Sequence, residues 1–315
     1  MAPNVVLQHL RRDGMETKPD IFVIVNPASG GGRGARAQAA VASLLADRGR
    51  RAEFVRSQSG EDIREHAARA AALGFRYVVA LGGDGALHHL IEGILGTNAM
   101  AGFFPAGTGN DIARALGIPS SPVAAADAFL RAEPRAVDVA RVQFGDGRTA
   151  HFIGAGGLGM DAEAAHLANT RFRAWPGVAR YLAGLFQAYF RERLLEVSAE
   201  IDGMAWTGRI LFAAVANANS YGSGVRIAPD ARMDDGWLDV ALVCDVRLLR
   251  LLRAIPIVLT SGDLRNFPEV QRFRCRKITM RTDRVARVHG DGEAMGESPV
   301  VFEVLPGAIR IMAPK

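Results

Sequence analysis

The 315-residue sequence is poor in several things that would point to particular functions. It holds two cysteines, Cys244 and Cys275, too few for a disulfide framework or a cysteine-rich zinc site, which points to a reducing cytoplasm. No apolar run near the start has signal-peptide length, and no uncharged stretch reaches the roughly 18 residues of a membrane span, so any meeting with lipid is expected from the surface. Lysine is confined to Lys18, Lys277 and Lys315, and the net charge of +5 is almost wholly arginine. The Walker pattern Gly-x-x-x-x-Gly-Lys-Ser/Thr is absent. Any phosphate must therefore be held by backbone N–H groups, hydroxyls, arginines and a metal.

What is present is a set of glycine-rich bends between apolar strands and helices. Tyr77 to Leu81 reads as a buried strand, Gly82-Gly83-Asp84-Gly85 as a turn that lets backbone approach a bulky ligand, and Leu87 to Leu95 as a helix whose N–H groups aim at the same spot. Ala101 to Phe104 repeats the design, with Pro105-Ala106-Gly107-Thr108-Gly109-Asn110-Asp111 leading into a helix, and Ile21 to Val25 does so with Asn26-Pro27-Ala28-Ser29-Gly30-Gly31-Gly32. Loops beyond the carboxyl ends of neighbouring parallel strands face one crevice, so the three predict a single phosphate site. Strands alternating with helices at 53–73 complete a parallel sheet covered on both faces.

Beyond Pro122 to Arg131 the periodicity falls to two, at Ala136 to Val142, Thr149 to Ile153, Leu194 to Ile201, Thr207 to Val215, Leu238 to Val243, Arg274 to Met280, Val285 to His289 and Val300 to Leu305. That pattern predicts an antiparallel sandwich or barrel. The expected organisation is a flexible tail at 1–19, an α/β nucleotide-binding domain at 20–135, and a β-rich substrate domain at 136–306, with 307–315 free to return to the first. Two arginine-flanked amphipathic helices interrupt the second domain, Pro176 to Arg193 and Val246 to Leu259. Such helices either pack on the core or lie on an anionic bilayer.

The motifs Asn26-Pro27-Ala28-Ser29-Gly30, Gly82-Gly83-Asp84-Gly85 and Gly107-Thr108-Gly109-Asn110-Asp111, in that order, resemble the diacylglycerol kinase catalytic domain family, which includes bacterial YegS-like lipid kinases and is related to the sphingosine and ceramide kinases. The resemblance implies ATP and Mg²⁺ as cofactors and transfer of the γ-phosphoryl group to the hydroxyl of a diacylglycerol-like lipid. It implies ATP contacts at Asn26, Pro27, Ala28, Ser29, Gly30, Ser57, Gly82, Gly83, Asp84, Gly85, Ala86, Thr108 and Asn110. Metal ligation is implied at Asp84 and Asp111, with Asp138 near the same network. Asp235, with the carbonyls of Arg232 and Trp237, matches a second, structural Mg²⁺ site. The base is expected in His289-Gly290-Asp291-Gly292-Glu293, at Glu293 first and Asp291 second.

The chain departs from the family pattern Gly-Gly-Asp-Gly-Thr-x-Asn-Glu at Ala86, His88 and His89. The last turns a carboxylate beside the nucleotide into a group that is neutral or cationic near pH 7. An NAD kinase shares Gly-Gly-Asp-Gly and the two-domain plan, and a nucleotide- or lipid-binding protein without activity would keep the same scaffold. The partners expected are a lipid substrate and, by peripheral contact, an anionic membrane surface. A homodimer is left open, and nothing resembles a nucleic-acid-binding module.

Overall fold

The computed structural model describes residues 19–314 apart from 173, 176, 192, 193, 223, 263, 265 and 266. The expected tail, but for residue 19, lies outside the described residues, as do residues 176, 192 and 193 at the ends of the first expected insertion. The first half runs β1 (Ile21–Val25), α1 (Ser29–Asp47), β2 (Ala52–Arg56), α2 (Gly60–Ala72), β3 (Tyr77–Gly82), α3 (Asp84–Ile94), β4 (Met100–Pro105), α4 (Asp111–Ala115) and α5 (Pro122–Phe129). The second half begins with β5 (Glu133–Phe144), β6 (Thr149–Phe152), β7 (Ala155–Gly159), α6 (Met160–Asn169), α7 (Gly177–Arg191), β8 (Leu195–Ile201) and β9 (Met204–Ala216). It continues through β10 (Leu238–Cys244), α8 (Leu248–Val258), β11 (Val270–Cys275), β12 (Lys277–Thr282), β13 (Arg287–Gly290), β14 (Glu293–Glu297) and β15 (Val300–Ala313).

Strands β1, β3 and β4 are buried along their whole length because helices cover both faces, and they pair in parallel in the order β2-β1-β3-β4. Helix α2 starts where its polar residues dictate: Ser59 accepts from the Asp62 amide, and Glu61 and Asp62 occupy the first turn, favoured by the helix dipole. In the second half β8 alternates buried and exposed residues and pairs antiparallel with β9 and β12, as a period of two requires. The mixed sheet, parallel at one end and antiparallel over the β-rich region, has the class that the sequence predicts.

The two halves share strands. Residue 135, the expected boundary, falls inside β5, which pairs with β15 from Val300↔Phe144 to Ala313↔Glu133, with a register shift between Leu305 and Ile309. Past that shift β15 reaches the first half, where Ile311 pairs in parallel with Ala101 of β4. The run expected as one strand from Arg274 to Met280 is two, β11 and β12, parted at Arg276. One apolar core fills the space around β1, β3 and β4, a second the interior of the antiparallel region, and a third lies beneath α6, α7 and α8.

Candidate active site

The three glycine-rich loops meet at the carboxyl ends of β1, β3 and β4, and they meet through positions that exclude a side chain. A Cβ on Gly30, whose φ is +58°, would lie 2.1 Å from the Ala106 carbonyl oxygen; one on Gly107 would lie 2.7 Å from Gly83 Cα; one on Gly34 would lie 2.2 Å from the Asn26 carbonyl oxygen. Arg33 fastens the first loop to the third by donating to the Gly107 carbonyl. Asn26 shapes the first turn, its Oδ1 accepting from Ala28 at 3.2 Å while its own amide bonds Leu81 in β3.

The structure brings Gly30, Gly83, Asp84, Gly85 and Thr108 onto one cavity of about 300 Å³, but not every expected contact faces it. The Ser57 hydroxyl turns inward to the Val25 carbonyl at 3.2 Å. Ala86 is buried, packed towards Gly82, so the missing hydroxyl is replaced by close packing rather than by another donor. Asn110 adopts the left-handed region and donates to the Gly107 carbonyl, leaving its Oδ1 buried without a hydrogen-bond partner among the described residues. His89 does not take over a carboxylate's place. Its ring lies on Gly60 at the start of α2, where an added Cβ would meet Nε2 at 2.1 Å, and burial, with His88 beside it, holds its pKa below the ordinary value.

Four carboxylates line the cavity, Asp84, Asp111, Asp291 and Glu293, the first two from the second and third loops. Asp84 accepts from the amides of Asp111 and Ile112 at 3.2 and 3.3 Å, so it caps α4 from a neighbouring loop, a role for which Asp111 is the local candidate in the sequence. Burial, and then the Asp111 charge, push the Asp84 pKa up to about 6. Asp111 itself accepts from Arg114 at 2.6 Å and Ser220 at 3.1 Å. Arg114 offsets the Asp111 charge in part, and the buried Asp84 carboxylate beside it leaves oxygen donors of the kind a hard divalent cation takes, so this pair fits Mg²⁺.

The other two expected metal positions differ. Asp138, expected near the same network, is buried and accepts from Gly236 and Gly307, each at 2.7 Å, which uses it to tie the turn before β10 to the bulge of β15. Asp235 is already neutralised: it pairs with Arg274 and accepts from its neighbour's amide on Trp237, while Arg274 and Arg276 lie over the Trp237 ring. A second Mg²⁺ there would compete with the Arg274 guanidinium for the Asp235 carboxylate.

The β13–β14 hairpin separates the two acidic candidates. Asp291, with φ 52°, sends its carboxylate inward, where Oδ1 accepts from Gly154 and Ala155 at 2.8 and 3.2 Å and Oδ2 from Ile153 and His88 at 2.9 and 3.1 Å. Four donors occupy the carboxylate's four lone-pair directions, so Asp291 does not fit the alternative base role. Glu293 is exposed on the same hairpin and leans over the second loop: a Cβ on Gly85 would lie 3.5 Å from its Oε1. It lines the cavity with the glycine-rich loops.

Sequence reasoning missed Asp161 and Tyr221. Asp161, in the first turn of α6, receives the Tyr221 hydroxyl at 3.2 Å and faces His289 Nε2 at 3.0 Å, and burial followed by the Asp161 charge drives the Tyr221 pKa well up. The readable signal was the polar run Asn217 to Gly222 directly after the apolar β9, at a strand end where loops line sites.

Residues 20–142 match the diacylglycerol kinase catalytic domain, and residues 154–313 match the YegS C-terminal NAD kinase beta sandwich-like domain. A diacylglycerol kinase of Bacillus subtilis (strain 168) is 30% identical over 255 residues, covering 79% of this chain and 82% of that protein. A diacylglycerol kinase of Mycobacterium tuberculosis is 29% identical over 298 residues, 94% of this chain and 95% of the other. A crystal structure of a diacylglycerol kinase from Bacillus anthracis superposes with a TM-score of 0.72 at 20% identity, over 95% of this chain and 98% of its own, which bears on the fold. Two domain matches covering both halves, joined by relatives of similar length, show that the chain belongs to the diacylglycerol kinase family of lipid kinases.

Proposed function

We propose that this chain transfers the γ-phosphoryl group of ATP, with Mg²⁺, to the hydroxyl of a diacylglycerol-like lipid presented at an anionic membrane surface. One observation carries the reading: an exposed carboxylate, Glu293, and the glycine loops that suit a triphosphate line the same cavity. In-line phosphoryl transfer asks for positioning and charge neutralisation more than for covalent help. The loop amides hold the phosphates, and Mg²⁺ held by Asp84 and Asp111 would neutralise phosphate oxygens. Glu293 takes the proton of the acceptor hydroxyl as its oxygen bonds to the γ-phosphorus and the bond to ADP breaks.

The acceptor's class is supported by the apolar ground beside the cavity. A slot of about 70 Å³ between α7, α8 and the sheet is lined by Leu182, Leu185, Leu251, Ile255 and Phe267, and Tyr221 borders both it and the phosphate cavity. Outside, Phe186 and Phe190 on α7 and Leu249 on α8 are 51%, 62% and 71% exposed, with Arg247 and Arg253 on or beside the same turns of α8. Apolar side chains among arginines suit an anionic bilayer. An NAD kinase would have no use for that face.

The test is radiolabelled ATP with mixed vesicles of diacylglycerol and anionic phospholipid. Label enters the organic phase with the wild type. Glu293→Gln loses at least about 100-fold of the rate while binding ATP unchanged. Tight ATP binding with no labelled lipid from the wild type defeats the reading, and labelled NADP from NAD replaces it with NAD phosphorylation.

A further inference from the structure

Helix α3 does more than end the second glycine loop. Its residues 84, 88 and 92 are spaced by four and so share one face, and each makes a polar contact with a different part of the molecule. Asp84 holds the third loop, as described. Glu92 accepts from the amide of His151 on β6 at 2.8 Å and lies 3.2 Å from its Nδ1. Between them His88 reaches Asp291 of the β13–β14 hairpin.

The His88–Asp291 contact is buried on both sides, with side-chain exposures of 8% and 2%. A carboxylate offers no proton, so His88 Nδ1 must carry one and donate it. The other three donors to Asp291 are backbone amides of residues 153–155, in the bend after β6 and at the first residue of β7. The Asp291 amide in turn donates to the Ala155 carbonyl at 2.7 Å. His88 is therefore the side chain by which the phosphate-loop helix itself grips the hairpin. Asp291 is held in the left-handed region, a conformation that a non-glycine residue keeps when its surroundings fix it. Two residues further on, Glu293 stands over Gly85, the second residue of the same helix.

We infer that His88 is a positioning residue: through Asp291 it sets the Glu293 carboxylate against the phosphate loop, coupling the nucleotide half of the site to the acceptor half. The inference rests on the kinase reading for its kinetic consequence and on geometry alone for the latch. Asparagine places its Nδ2 one bond from Cγ, as histidine places Nδ1, so Asn at 88 can donate the same hydrogen bond. Alanine cannot.

The experiment compares full-length wild type, His88→Ala and His88→Asn by amide hydrogen exchange, nucleotide titration and the vesicle assay. Exchange at 290–293 rises in His88→Ala and returns towards wild type in His88→Asn. The alanine variant loses roughly 10- to 100-fold in kcat, the scale of an ångström of misplacement, with nucleotide Kd within about twofold and substantial rescue by asparagine. Should the alanine variant fail to fold, the asparagine variant and His88→Leu, which keeps the bulk without the donor, carry the same comparison. Unchanged exchange at the hairpin without the donor overturns the latch whatever the activity. Protection lost at the hairpin while the wild type labels no lipid supports the latch and defeats the kinase reading instead. Equal losses in the asparagine and alanine variants, or a loss confined to nucleotide affinity, overturn the positioning role.

Discussion

Replacing Asp84 by asparagine should make the protein more stable and less active at once. The carboxylate is held where burial and the neighbouring Asp111 raise its pKa from 3.8 to about 6. The folded protein therefore binds the Asp84 proton more tightly than the unfolded chain, and stability from this residue is present below pH 4 and lost as pH rises through 6. Roughly two pH units at about 1.4 kcal/mol each give about 3 kcal/mol of charge burden at pH 8. Asparagine removes that burden but has one acceptor oxygen where aspartate uses two, so a helix-capping bond worth about 1 kcal/mol is given up. The variant should exceed the wild type by about 2 kcal/mol at pH 8 in urea unfolding with metal chelated, narrowing to under about 1 kcal/mol at pH 5. Mg²⁺ with ATP should stabilise the wild type far more than the variant, and phosphoryl transfer by the variant should fall to background. A variant less stable than the wild type at pH 8, or a difference that does not change with pH, would refute the argument that burial, and then the Asp111 charge, burden the Asp84 carboxylate.

Three further outcomes follow from the packing. Gly34→Ala sets a methyl group 2.2 Å from the Asn26 carbonyl and should cost about 1–3 kcal/mol in stability while weakening ATP binding at least tenfold, read by calorimetry. Phe190→Ser with Leu249→Ser removes exposed apolar side chains and should reduce sedimentation with anionic vesicles several-fold, leaving urea unfolding within about 0.5 kcal/mol of wild type. Arg274→Ala strips Asp235 of its cation and Trp237 of a stacked guanidinium, and should lower stability by about 1 kcal/mol without altering nucleotide affinity.

The glycine-rich loops were legible because their signal is local. A glycine needed for close approach, such as Gly107 against Gly83, announces itself by residue type, and the strands before the loops are unbroken apolar runs that only a sheet covered on both faces accommodates. The long strand β15 was harder. Pro306 and Gly307 interrupt the alternation, so the sequence reads as two pieces, yet the chain runs on past a register shift and pairs with β5 on both sides of it. The shift is stabilised from a distance, because Asp138 of β5 accepts from the Gly307 amide, and no pattern within 300–313 reveals that donor's partner.

The same reasoning explains why the acidic motif was legible, with Glu293 placed before Asp291, while the environment that parts the two was not. Asp291 and Glu293 lie two residues apart, which in a regular strand would send both side chains to one face. A left-handed residue at each of Asp291 and Gly292 breaks that rule: both residues border the cavity, but the first carboxylate is turned to three amides and a histidine while the second side chain is exposed. A buried carboxylate must be satisfied, and what satisfies this one lies 203 residues away for His88 and 136–138 residues away for the amides. The departure of His88 from the family's asparagine keeps the chemistry of the position, since both residue types can supply the one donor that the pocket around Asp291 asks of α3.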